Sequence, residues 1–319
     1  MFSTKSITWT LTGIFFLFYG ISVYWSSQPA HINIHAEVTQ AAKADNVAPV
    51  VGYTTTTALI KVGETLLNKP GGYLSNDIMP PSIFMDNMPA WEFGVLEMIR
   101  DMALVMRKDF SRSQSQSEEN KQLQNAQPRF NIDSLNWAMP SSESEYGEAI
   151  NQLYLYRSAL VSSNTKDKAK FYARADNLRA YIEEVQKRLG SYSHRLSLSV
   201  VPDEDIKSDK STQGVYQSQT SWWKIDDVFY EARGATWALL QLLRAIEIDF
   251  NRILENKNAK ISLQQIIREL EASQEPLWSP MILNGSGFGF VANHSLVMAN
   301  YISRANAALI DLNELLTKG

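Results

Sequence analysis

Few side chains in this sequence could do acid, base or metal chemistry, and the four histidines are the first to consider. His31 and His35 stand four residues apart, so a helix would place both imidazoles on one face, as a zinc site requires. However, Ile32 follows His31, where the HExxH arrangement of a metalloprotease has a glutamate. We therefore predict no metal site at these residues.

His294 is the best single candidate for a catalytic acid or base. It lies close to the glycine-rich run GSGFGF at 285–290 and directly before Ser295. A lone histidine at the start of a helix is more often structural, and the chain has neither a G-x-S-x-G elbow nor any cysteine. The glycine run also lacks the G-x-G-x-x-G spacing of a dinucleotide site, so we predict no cofactor.

Residues 71–94, GGYLSNDIMPPSIFMDNMPAWEFG, are unusually apolar for a segment that contains three prolines. Prolines prevent a continuous helix, and a run this apolar would form an exposed patch if it were left in water. We expect an ordered loop that either caps the core of the protein or binds a partner. If it caps the core, Phe84→Ala should cost about 3 kcal/mol of stability. The candidate binding residues are Tyr73, Met79, Phe84, Met85, Met88 and Trp91.

The segment Ile7–Trp25 contains no charged side chain and is long enough to cross a membrane. Trp9 lies near one end and Tyr24 and Trp25 at the other, where aromatic rings favour the headgroup level. Because Lys5 precedes the segment and no Lys or Arg follows it before residue 43, the positive-inside rule places the N-terminus in the cytoplasm. We predict an uncleaved anchor in the lipid bilayer, since the apolar core exceeds the roughly 7–15 residues of a signal peptide.

Apolar residues recur at helical spacing along most of the remaining chain. Val95 to Phe110, Phe171 to Leu189, Val228 to Ile253 and Met298 to Leu316 each form such a stripe. We predict an all-α fold, in which a single N-terminal transmembrane helix is followed by an elongated α-helical bundle.

Smaller signals divide this fold. Ser142 and Glu145 form a capping box, and the helix that follows them is expected to pair with the 171–190 helix as an antiparallel hairpin. Residues 195–201 alternate enough to form a single strand. The expected divisions are a cytoplasmic tip and anchor at 1–27, a tether at 28–49 and a periplasmic bundle at 50–319, with a mobile loop near 201–219 as a possible internal boundary.

Three stretches of the chain, the 71–94 segment, SWWKIDDVFYEARGATWALL and NGSGFGFVANHSLVMANYISRANAAL, resemble the family known as domain of unknown function 2333 of Gram-negative bacteria. The resemblance covers nearly the whole chain. It implies a bacterial inner-membrane protein, and it implies no reaction, cofactor or catalytic residue.

Two classes of function remain open. The favoured hypothesis is an inner-membrane-anchored periplasmic protein that binds another envelope component, such as a protein, without being an enzyme. The alternative is an anchored periplasmic hydrolase of cell-wall or lipid substrates, which would gather at least two of His194, His294 and the acidic residues in one cleft. A net charge of −4, from 30 basic and 34 acidic residues, argues against nucleic acid as the main partner.

Overall fold

The computed structural model describes residues 4–113, 117–164, 168–198, 220–279, 281–285 and 291–318. Over these residues the chain is helical and contains no strand, which confirms the all-α prediction. The helices are α1 Thr4–Trp25, α2 Ile34–Asp45, α3 Tyr53–Asn68, α4 Asn87–Val105, α5 Lys121–Phe130, α6 Ser142–Leu160, α7 Ala175–Ser197, α8 Ile225–Asp249, α9 Asn251–Asn256, α10 Lys260–Ala272 and α11 His294–Lys318. One π-helical turn, Met106–Phe110, continues α4, and single 3-10 turns occur at Ser82–Phe84 and Trp222–Lys224.

The first helix, α1, stands apart from the others. By length and composition its residues Ile7–Trp25 could cross a membrane, and no part of this segment is buried inside the protein. At 1.5 Å per residue, the segment extends about 30 Å, which matches the hydrocarbon core of a bilayer. α1 therefore projects from the bundle.

The bundle is built around α4 and α8, whose backbones touch. A Cβ added at Gly94 would overlap the carbonyl oxygen of Glu231, and one added at Gly234 would overlap that of Trp91. The rings of Trp91 and Trp237 pack against each other, with 5.2 Å between their centroids. α3 and α7 each contact both central helices, while α10 and α11 pack beside α8 and α7.

The apolar stripe predicted for α4 is confirmed, and the predicted α6–α7 hairpin is wrong. All five stripe residues of the α4 region are buried: Val95, Ile99, Met102, Met106 and Phe110. α6 packs on α3 and α5, whereas the main partner of α7 is α11. The segment between α6 and α7 contacts the end of the central pair instead of making a tight turn, and the Tyr172 N–H donates to the Phe110 carbonyl there.

The segment 28–49, which the sequence predicts to be a tether, contains α2 and is bonded to the bundle. Ile32 N–H donates to the Gln241 side chain (3.2 Å), and Trp237 Nε1–H donates to the Ala30 carbonyl (3.3 Å). α2 buries only Ile34 and Ala42, so it shows too narrow an apolar stripe to be recognised from sequence. The connection between α1 and the bundle is therefore short and fixed.

Two further expectations concern the chain after α7. The predicted strand at 195–201 is wrong for its first three residues, which form the last turn of α7. The mobile loop predicted near 201–219, as a possible internal boundary of the bundle, lies outside the described residues.

The helices give the bundle two ends, and α1 leaves from one of them. Trp25, the last residue of α1, lies so close to Gly71 that a Cβ there would be 2.7 Å from Trp25 Cγ. Arg233, buried near the start of α8, donates to the Gln28 side chain and to the backbone carbonyls of residues 273–275. We call this the α1 end of the bundle; the segments 71–86, 131–141, 220–224 and 273–279 lie there. The opposite end, where α3 begins, α8 ends and α10 begins, is the distal end.

Gly94→Ala should destabilise the protein strongly, because the new methyl group would meet backbone atoms of α8, which cannot rotate away. We expect a loss on the order of 3 kcal/mol in urea denaturation. Gly147→Ala in α6 is the matched control, since a Cβ at that position meets nothing within 4 Å. The control should gain up to about 1 kcal/mol from helix propensity. Equal stability of the two variants would contradict the backbone contact.

Candidate functional site

The α1 end of the bundle exposes a set of large apolar side chains that we call the apolar end surface. Phe84 is 81% exposed, Trp278 95% and Met139 100%, values that large apolar side chains rarely show on a folded protein. They come from four segments that are distant in sequence. The members are Ile78, Met79, Ile83, Phe84, Leu135, Trp137, Met139, Trp222, Trp223 and Trp278.

The structure divides the candidate binding residues of the 71–94 segment into two groups. Tyr73, Met88 and Trp91 are buried, and Met85 is half-buried against the core. Met79 and Phe84 belong to the apolar end surface instead. The expectation that Phe84 caps the core is wrong, and so is the stability cost of about 3 kcal/mol predicted for Phe84→Ala, since that value applies to buried side chains.

A buried ion pair fixes the start of the 71–94 segment. Lys69 Nζ and Glu92 Oε1 are 2.5 Å apart, and both side chains are fully buried. Glu92 also accepts hydrogen bonds from the N–H groups of Leu74 and Ser75, each at 2.8 Å. Burial raises the pKa of Glu92, while the Lys69 ammonium and these donors oppose that shift. The pair thus binds the end of α3 and the following turn to α4.

A second set of hydrogen bonds joins this segment to the 131–141 loop. Tyr73 Oη donates to the Ser134 carbonyl (3.0 Å), and Asn76 Nδ2 donates to the Asn136 carbonyl (2.9 Å) and to Glu143 (2.7 Å). Tyr73, Leu74 and Ser82 are buried, whereas the side chains of Ile78, Met79, Ile83 and Phe84 are exposed. The exposed side chains therefore extend from a bonded backbone.

The tryptophans show how unevenly the apolar residues are distributed. The chain has eight, and Trp91 and Trp237 are in the core. Trp9 and Trp25 lie near the two ends of α1. The remaining four are exposed, and all of them belong to the apolar end surface: Trp137, Trp222, Trp223 and Trp278.

The structure gives His294, the candidate acid or base, a structural role. Its Nδ1 accepts the Leu283 N–H at 2.9 Å, and its own N–H donates to the Leu283 carbonyl. Burial lowers the pKa of His294, which favours the neutral ring that this bond requires. The bonds hold the start of α11 to the preceding segment. Of the glycine-rich run beside it, only Gly285 lies among the described residues.

His31 and His35 line an open cleft of about 840 Å³ between α2, α8 and α10. Burial and the nearby Arg244 lower the pKa of His31. Arg244 itself pairs with Glu271 at 2.6 Å, so the charges in the cleft largely neutralise each other. Neither His194 nor His294 lines it. In the part of the chain that the structure describes, no three His, Asp or Glu side chains are grouped as a metal site would need.

Glu92→Gln should cost about 3–5 kcal/mol of stability, because it leaves the Lys69 ammonium buried without its counter-charge. The matched control is Glu183→Gln, which breaks an exposed pair with Arg179 on the surface of α7. The control should change stability by no more than about 0.5 kcal/mol. Urea denaturation of the two variants beside the unmodified protein measures both effects. A Glu92→Gln variant as stable as the control would show that the pair does not hold the segment.

Comparison with known proteins places the chain in a family but identifies no activity. A family model described as an uncharacterised protein conserved in bacteria, DUF2333, matches residues 2–319. No curated protein and no solved structure matches the chain. The match extends from α1 to the end of α11 and so includes both the apolar helix and the bundle. This chain is a member of the DUF2333 family of bacterial proteins.

Proposed function

We propose that the protein is a single-pass inner-membrane protein whose helical bundle stands in the periplasm and binds another component of the cell envelope. The observation that carries this proposal is the unburied segment Ile7–Trp25, which projects from the bundle and has the length and composition of a membrane span. Lys5, before the segment, supports a cytoplasmic N-terminus by the positive-inside rule.

The binding surface in this proposal is the apolar end surface. Water-exposed apolar patches of this kind mark sites of interaction. Two of its four segments, 71–86 and 131–141, are held by the Lys69–Glu92 pair and by the bonds of Tyr73 and Asn76. A surface fixed in this way needs little ordering when it binds, which lowers the entropic cost of association.

The hydrolase alternative has no comparable support. His294 uses Nδ1 to accept a backbone N–H, and the charged side chains Arg244 and Glu271 of the cleft beside His31 are paired with each other. A hydrolytic site needs a nucleophile or an activated water within reach of a base. The favoured function is therefore binding without catalysis.

The proposed topology predicts that a reporter active only in the periplasm works when it is fused after Gly319. The same reporter inserted before Lys5 should be inactive, because the positive charge near the N-terminus keeps that side in the cytoplasm. Activity of the two fusions in living cells measures the orientation. The reverse pattern would overturn the periplasmic placement of the bundle.

Photo-crosslinking tests the binding surface. A photoreactive residue at Phe84 or Trp223 should form adducts with an envelope component in intact cells, since both positions belong to the apolar end surface. Ile261 is the matched control, because it is apolar and 76% exposed but lies at the distal end, in the first turn of α10. Adducts that are equally abundant at all three positions, or absent from Phe84 and Trp223, would contradict the proposed surface.

A further inference from the structure

We propose that the ligand of the apolar end surface is the lipid bilayer itself, so that this end of the bundle is inserted into the interface of the leaflet in which α1 ends. The inference rests on the proposed function, because it takes α1 as the span and the apolar end surface as the binding surface. It adds the identity of the bound component and the depth to which this end of the bundle is inserted into the membrane.

The first argument is the position of the surface relative to the end of the span. Trp25 packs on Gly71, whose φ of +86° and lack of space both exclude a side chain. The most apolar segment of the surface thus begins in contact with the last residue of α1. If α1 spans the bilayer with Trp25 at the headgroup level, the start of the 71–86 segment lies at that level too.

The second argument is that the chain cannot lift the bundle away from the membrane. If residues 26–32 were unbonded and fully extended, these seven residues could span about 23 Å. In the structure Gln28 is bonded to Arg233, Ala30 to Trp237 and Ile32 to Gln241, so three points along this segment are attached to α8. The bundle is held next to the end of α1, and its nearest face is the apolar end surface.

The third argument is the chemistry of the exposed side chains. Tryptophan is enriched at membrane interfaces, where the indole ring lies among the headgroups and the acyl chains begin. Every tryptophan of the chain outside the core lies either on α1 or in the apolar end surface. Protein-binding surfaces are also rich in aromatic residues and Met, but they are usually rich in arginine as well, and no arginine is among the members of the apolar end surface.

The charges at this end indicate that the attachment is apolar rather than electrostatic. The four segments of the α1 end contain one basic residue, Lys224. Three of their acidic side chains accept hydrogen bonds from nearby backbone N–H groups: Asp77 from Met79, Asp133 from Leu135 and Asp86 from Asn87, the first residue of α4. A surface with so few cations gains little from anionic lipids. Zwitterionic lipid should therefore suffice for insertion, and salt should not reverse it.

The test uses the full-length protein, whose sequence contains no cysteine, so that single-cysteine variants need no background removal. Phe84→Cys, Met139→Cys and Trp223→Cys place an environment-sensitive fluorophore on three segments of the apolar end surface. Ile261→Cys is the control, with a similar exposure at the distal end. Each labelled protein is reconstituted into phosphatidylcholine vesicles, and thermal unfolding confirms that the variants keep the fold.

We expect the fluorophore to show blue-shifted emission at positions 84, 139 and 223. Lipids that carry a nitroxide just below the headgroup should quench these three labels several-fold more strongly than the label at position 261. The depth should be about 5–10 Å, as for other interfacial apolar surfaces. Iodide added outside the vesicles should quench position 261 preferentially in the population whose bundles face outwards. Labels at 84, 139 and 223 that are quenched by iodide as strongly as the control, and not by the lipid nitroxide, would overturn the inference.

Failure of this inference can be distinguished from failure of the proposed function. Quenching by the lipid nitroxide does not depend on which side of the membrane the bundle occupies, so a reversed topology would leave the depth result intact. If the nitroxide fails to quench while photo-crosslinking at Phe84 captures a protein or a second copy of the chain, the surface binds protein and the lipid assignment is wrong. If both fail, the surface has no binding role.

Discussion

The architecture of the α1 end depends on the buried contact between Lys69 and Glu92. An ion pair inside a protein is costly unless additional hydrogen bonds satisfy both partners. Here Glu92 receives two backbone N–H groups and the Ser75 hydroxyl, while Lys69 also donates to the Gly72 carbonyl. The chain must therefore leave α3 and turn back across α4, and its apolar side chains become exposed only after this turn. The contact determines where the exposed segment starts and which of its residues remain inside.

The other parts of the α1 end are arranged around this turn. Gly71 accommodates Trp25, and Tyr73 and Asn76 bind the 131–141 loop. The close approach of α4 and α8 at Gly94 and Gly234 brings the start of α8, and with it Trp222 and Trp223, to the same end. Apolar groups from distant segments thus come to the same end of the bundle.

The sequence predicted the helices better than their arrangement. The α4 stripe identified its helix because that helix buries a wide apolar face, as the 3.6-residue period requires. α2 is not recognisable from the sequence because it buries only Ile34 and Ala42, and its ion pairs from Glu37 to Lys61 and from Asp45 to Arg157 leave no periodic pattern. The α6–α7 hairpin was wrong because helical spacing shows which face is buried but not which helix covers it. Tyr73 and Phe84 have similar apolar character, and the difference in their burial depends on Glu92, whose bonds to the turn after α3 span 17 or more residues, a separation that no local pattern encodes.

The short bonded connection between α1 and α8 has a mechanical consequence. Residues 26–32 are bonded to α8 at three points and do not form a flexible linker. A tilt of α1 must therefore tilt the bundle with it. α8 has 25 residues and so extends about 37 Å from the α1 end towards the distal end. In the proposed orientation, the tilt of α1 therefore determines the height of the distal end above the membrane.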